Sequence, residues 1–135
     1  MLSESLTTLI TALKEMPEYK TVDIWEGDVE SLINKPQTLP SAHLILSKCG
    51  FSEPNVIGGT TAPAGIIWSL IIMSKNLRSK SDGAVESLAL IEATAAKLFR
   101  LNTGFGFIQP DEAQLVGVQN GVASYGMYLT QEYNP

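Results

Sequence analysis

The sequence predicts an α+β fold, a mostly antiparallel sheet of four to five strands with two main helices packed on one face. Three stretches predict it. The first, Ala64–Lys75 (AGIIWSLIIMSK), is the longest nearly unbroken apolar run in the chain. Its twelve residues are too few to cross a bilayer as a helix, which takes about 20. Its β-branched content and Gly/Pro-rich lead-in make it a strand deep in a sheet. The second is an apolar stripe at helical spacing, made of Val85, Leu88, Ile91, Ala95, Leu98 and Phe99. The third is Asn120-Gly121 between two apolar runs. That pair favours a type I′ hairpin, because both central residues need positive φ.

Taken in order, Leu2, Leu6, Leu9, Ile10, Leu13 and Met16 recur at helical spacing, with Ser3 or Ser5 as cap and Pro17 as the stop. Val22 and Ile24 then alternate with Asp23 and Trp25 as a short strand, and Gly27-Asp28 turns into a helical turn or two at Val29–Asn34. Residues 41–48 read as a strand with Ala42, Leu44 and Leu46 on one side and His43, Ile45 and Ser47 on the other. A loop of about fourteen residues, 50–63, holds Gly58-Gly59 and Thr60-Thr61; loops of that length are often functional. On the long apolar strand, Ile66, Trp68, Leu70 and Ile72 form a core face. Ile67, Ile71 and Met73 form a second face, which a local segment or a neighbouring subunit must shield.

Ser81-Asp82-Gly83 starts the long helix. Glu86 near its beginning and Lys97 and Arg100 near its end suit the helix dipole, and Asn102 and Gly104 stop it. Counting out from the hairpin turn pairs Gln119 with Val122, Val118 with Ala123, Val116 with Tyr125, and Gln114 with Met127. This count puts Val116, Val118, Ala123, Tyr125, Met127 and Leu129 on one face.

Composition bounds the function. The 135 residues make one domain, 1–135, and a net charge of −5 lacks the basic footprint of nucleic-acid recognition. The lone Cys49 cannot form an internal disulfide, and the acidic start of the chain is unlike a signal peptide, so the expected setting is a cytoplasm or a particle assembled there. His43 is the only histidine. It and Cys49 have no metal-ligand spacing around them, so both read as ordinary strand residues. Gly104-Phe105-Gly106-Phe107 lacks the third glycine of a dinucleotide fingerprint and follows a helix, so it reads as a turn. No residue is nominated as catalytic, metal-binding or cofactor-binding. Charge is more informative. Residues 15–30 are strongly acidic, and Lys75, Arg78 and Lys80 form a basic cluster after the long strand. Either both are solvated surfaces, or they meet between subunits as a head-to-tail contact that closes a ring.

The order of elements resembles a family of small tail proteins of Mu-like prophages, whose fold is similar to the tail terminator of lambda-like phages. The resemblance runs through TTLITALKEM, VDIWEGDVESL, LPSAHLILSK, IIWSLIIMSKNLRS, the Gly83-Ala84 helix entry and GVASYGMYLTQEY. It implies a structural protein of the virion tail, assembled in the bacterial cytoplasm. Such a protein self-associates into a ring, usually hexameric, that caps the tail tube, and its partners are the tail tube protein and a head-completion protein. It implies no enzyme activity, cofactor or membrane. The alternatives are another tail or head–tail connector component of the same fold, or a small enzyme or ligand-binding domain using His43 and a carboxylate. The subunit or tail contacts expected under the resemblance are Asp23, Glu26, Asp28, Gly58, Gly59, Thr60, Ile71, Lys75, Arg78 and Lys80.

Overall fold

In chain order the elements are α1 (Leu2–Lys14), β1 (Thr21–Ile24), α2 (Val29–Asn34), β2 (Ser41–Phe51), β3 (Ala64–Lys75), α3 (Lys80–Leu98), β4 (Ile108–Gln119) and β5 (Val122–Tyr133). The structure, a computed structural model, describes residues 1–54, 57–58, 62–75 and 80–135, with residues 80–83 described as backbone only. The five strands form one sheet in the order β1-β2-β3-β5-β4. All neighbours are antiparallel except β1 and β2, which run parallel. The fold is α+β, with the long apolar run as the middle strand.

Strand periodicity turns Ala42, Leu44, Ile66, Trp68, Leu70, Ile72, Met127 and Leu129 towards the helices, where Leu9, Leu13, Leu90 and Leu98 meet them in one buried cluster. A buried polar hub closes this core. The Trp68 indole N–H donates to Gln131 Oε1 at 3.0 Å, and Gln131 Nε2 donates to Ser5 Oγ at 2.8 Å and Thr103 Oγ1 at 3.0 Å. α1 begins at Leu2, ahead of both serines expected to cap it; Ser5 is buried and serves the hub instead.

The parallel β1–β2 pair needs a crossover, and the crossover carries α2 onto the sheet's second face. Asp28 caps α2, its carboxylate accepting from the Ser31 N–H at 2.6 Å, and that bond holds the carboxyl below its usual range. Leu32, the buried residue of α2, packs with Ile71 and Met73, and Trp25, Val29, Leu39 and Ile45 flank them.

Three local expectations change. In α3 the residues turned inwards are Ser87, Leu90, Thr94 and Leu98, whereas Val85, Leu88 and Phe99 of the expected stripe are exposed. The buried hydroxyls are satisfied: Ser87 and Ser74 share a 2.7 Å hydrogen bond, and the Tyr19 hydroxyl meets Thr94 Oγ1 at 2.6 Å. The end of α3 is set by Arg100, at φ 57°, its guanidinium 5.0 Å over the Phe107 ring, ahead of Asn102 and Gly104. In the terminal hairpin, Asn120 and Gly121 have the expected positive φ, and the first two pairs stand. A bulge at Val116 then sets Leu115 opposite Tyr125 and Gln114 opposite Gly126. The bulge also sends Val116 to the second face, where its Cγ2 lies 3.3 Å from a Cβ built on Gly126.

Candidate functional site

The sheet register builds an arrangement that local sequence motifs do not reveal. Parallel pairing sets Asp23 beside His43, and alternation along β2 places Ser41 on the same side as His43. With the proton on Nδ1, His43 donates to Asp23 Oδ1 and the Ser41 hydroxyl, 2.9 Å from Nε2, donates to that nitrogen. This is the hydrogen-bond order of a Ser-His-Asp triad. Its geometry argues against that use. Ser41 and His43 are both 0% exposed, so the hydroxyl cannot meet a substrate. The chain of bonds fastens the short parallel strand to β2. His43 is thus neither exposed and isolated nor at the focus of an open cleft. Asp23 lies 20 residues away and is brought in only by the parallel register. Among the described residues, no cluster of three or more His, Cys, Asp or Glu could hold a metal. No helix of the described chain is long and apolar enough to cross a membrane.

The expected contact residues divide. Asp23 is engaged with His43, Asp28 caps α2, and Glu26 is exposed just beyond β1. Ile71 is 4% exposed, so within one chain its shield is a local segment, α2. Lys75 is exposed at the end of β3. Asp23 pairs with His43 and His43 with Ile71, so Lys75 lies two strands across and four residues further along. The acidic segment and this cation therefore do not meet within the chain. Gly58 is exposed with φ 77°. Gly59, Thr60 and Arg78 lie outside the described residues, as does the side chain of Lys80.

A groove sits where β1 stops short. β1 pairs β2 only from Ser41 to Leu44, whereas β2 runs on to Phe51. Beside the uncovered stretch, Leu2 and Leu6 of α1 face Ile24, Trp25 and Leu46 across a space of about 380 Å³, with Trp68 beneath and Glu26 at the lip. Ile24 is 47% exposed and Leu46 43%. Sequence reasoning placed Leu46 on the core face but missed that its strand outruns its neighbour, because strand length is set by the pairing partner. At the other edge, β4 carries Pro110, bulges at Asp111 and Val116, and the acidic Glu112. These features all hinder edge-to-edge strand pairing.

The class these features define is an α+β domain with one mixed sheet, helices α1 and α3 on one face and the small α2 on the other. No protein-family model and no curated protein sequence matches the chain. Solved structures do match. Among them is a chain of the "Virion of native gene transfer agent (GTA) particle", with a TM-score of 0.52 at 9% identity. The alignment covers 97% of this chain and 92% of that one, so the two share their fold nearly end to end.

Proposed function

We propose that this protein is a non-enzymatic structural component of a phage-type virion tail. In its most specific form it is a tail terminator, self-associating as a ring, hexameric in the resembled family's manner, that caps the tail tube and supports head joining. The observation that carries the reading is the near-complete overlap in fold with a chain of a gene transfer agent virion. The order of elements in the sequence, similar to small tail proteins of Mu-like prophages, points the same way, and the buried Ser41–His43–Asp23 chain offers no accessible nucleophile. Its partners are then other copies of itself, the tail tube protein and a head-completion protein, met in the bacterial cytoplasm during assembly. Disrupting the gene in a producing strain is the test. Overlong tails are expected from loss of a terminator. Tails of normal length without heads would assign it to another connector position, and normal infectious particles would refute a tail role altogether.

A further inference from the structure

Residues 21–39, which carry β1 and α2, run as a strap from the sheet edge across its second face. The two ends of the strap meet, for the Lys20 N–H donates to the Pro40 carbonyl at 2.8 Å. Between those ends Leu32 is the only fully buried residue. The side-chain hydrogen bonds of the strap close mostly on the strap itself. The Thr21 hydroxyl donates to the Thr38 carbonyl at 2.9 Å, the Trp25 indole N–H to the Asp28 carbonyl at 2.9 Å, and Asn34 Nδ2 to the Glu30 carbonyl at 3.0 Å. Lys35 Nζ lies 5.3 Å from the centre of the Trp25 ring, again within the strap. Among the described residues, one side-chain bond crosses to the rest of the sheet, the one between Asp23 and His43. What else holds the strap is the four-pair ladder of β1, the Trp25 N–H donating to the Leu44 carbonyl at 3.0 Å, and the Leu32 plug.

The buried apolar residues divide along the same seam. Leu32, Ile71 and Met73 form a cluster of their own, separate from the main core between the sheet and the long helices. Withdrawing the strap dismantles the small cluster and takes from the main one only the partly buried Val22. A segment with one buried anchor, an edge position and its own small cluster is the kind that opens at a lower free energy than the whole domain. We propose that residues 21–39 are an opening strap, which leaves the sheet as a unit while α1, α3 and β2–β5 stay folded. Opening bares Ile71 and Met73 on the middle strand, and His43, which pairs with Ile71 on the same face, loses its cover. Asp23 and His43 are the latch, since theirs is the side-chain bond that spans the seam. The fold thereby holds an apolar face that is hidden or shown without refolding the domain. The inference does not depend on the tail reading.

Native-state hydrogen exchange in stepped, sub-denaturing urea tests the strap. Relative to their intrinsic rates, the amides of β1 and of Trp25 should exchange at least about a hundredfold faster than the slowest amides of β3 and β5. Their urea dependence should also be weaker, because strap opening exposes less surface. His43, the only histidine, gives a second readout through its carbethoxylation by diethyl pyrocarbonate, followed by mass. Leu32→Ala should speed both strap exchange and His43 modification by about a hundredfold. Asp23→Ala should speed both by about tenfold, and unchanged rates there would overturn the latch. Leu129→Ala, in the main core, should speed exchange in β3 and β5 while strap amides and His43 keep their wild-type rates. If Leu129→Ala does not fold, the urea series on the wild type decides. Strap amides that share the rates and urea dependence of β3 and β5 would overturn the proposal, because the domain would then open only as a whole. Strap amides without protection would overturn it too, because the strap would then not be closed.

Discussion

Leu32→Ala tests whether α2 covers the second face as described. Leu32 is fully buried and is the one buried residue of a six-residue helix, packed with Ile71 and Met73. Truncation removes three carbons from a dry contact, about 2.4 kcal/mol at ~0.8 kcal/mol per methylene. An unrelaxed cavity raises this towards the ~2.7–5 kcal/mol seen for buried leucines. A short surface helix can settle inwards, so about 2.5–3.5 kcal/mol is expected, out of a total of roughly 5–15 kcal/mol. Urea unfolding followed by tryptophan fluorescence measures it. With an m-value of about 1.5 kcal/mol/M, the midpoint falls by about 2 M. A double-mutant cycle with Ile71→Ala should show coupling of about 0.5 kcal/mol or more, since the two side chains share one cluster. A loss below about 1 kcal/mol, or strict additivity with Ile71→Ala, would refute the packing of α2 on β3.

Other outcomes follow from single atoms. Gly106→Ala would place a Cβ 2.1 Å from the Glu132 carbonyl oxygen at φ 109°, so thermal unfolding should show a loss of about 3 kcal/mol or more; Gly117→Ala, with open space around it, should be nearly neutral. Burial pushes the Tyr19 phenol well above its ordinary value, so its contribution to stability is intact below about pH 10 and is lost as pH rises through the folded value. Tyr19→Phe should remove that alkaline decline in urea titrations, and at neutral pH should cost about 1 kcal/mol through the lost bond to Thr94. Lys97→Ala should cost under about 1 kcal/mol, and less in high salt, because its 2.8 Å pair with Glu15 is largely exposed.

The sequence carried the fold where a signal was local and strong. The β3 run, the Asn120-Gly121 turn and the α1 stripe each came out as their residue patterns require. What escaped depended on partners distant in the chain. In α3 two of the inward positions are Ser87 and Thr94, and nothing near them in sequence announces Ser74 and Tyr19 as the groups that make their burial tolerable. The Val116 bulge is invisible to alternation, since Val116, Leu115 and Gly117 satisfy either count until Gly126 opens room on the second face. For the candidate contacts the charge segregation was readable, and the groove was not. Its existence depends on β1 ending at Ile24 while β2 continues, a mismatch of lengths that no single stretch encodes.

The placement of β5 has a consequence for how the molecule is made. β5 lies between β3 and β4, and the residue order of the sheet is broken there. A nascent chain that has emerged only through Gln119 therefore holds β1-β2-β3 as one unit and β4 as an orphan, with β3 presenting a long open apolar edge. No strand pairing joins the two until residues 122–133 fill the gap, and Gln131 must arrive before Trp68, Ser5 and Thr103 find their shared partner. The β4–β5 pairing is a local hairpin, but the β3–β5 pairing is long-range and slow to nucleate. During synthesis the half-finished sheet is thus a sticky strand awaiting its mate, and the interval before β5 clears the ribosome is when a chaperone, or an accidental neighbour, has its opportunity.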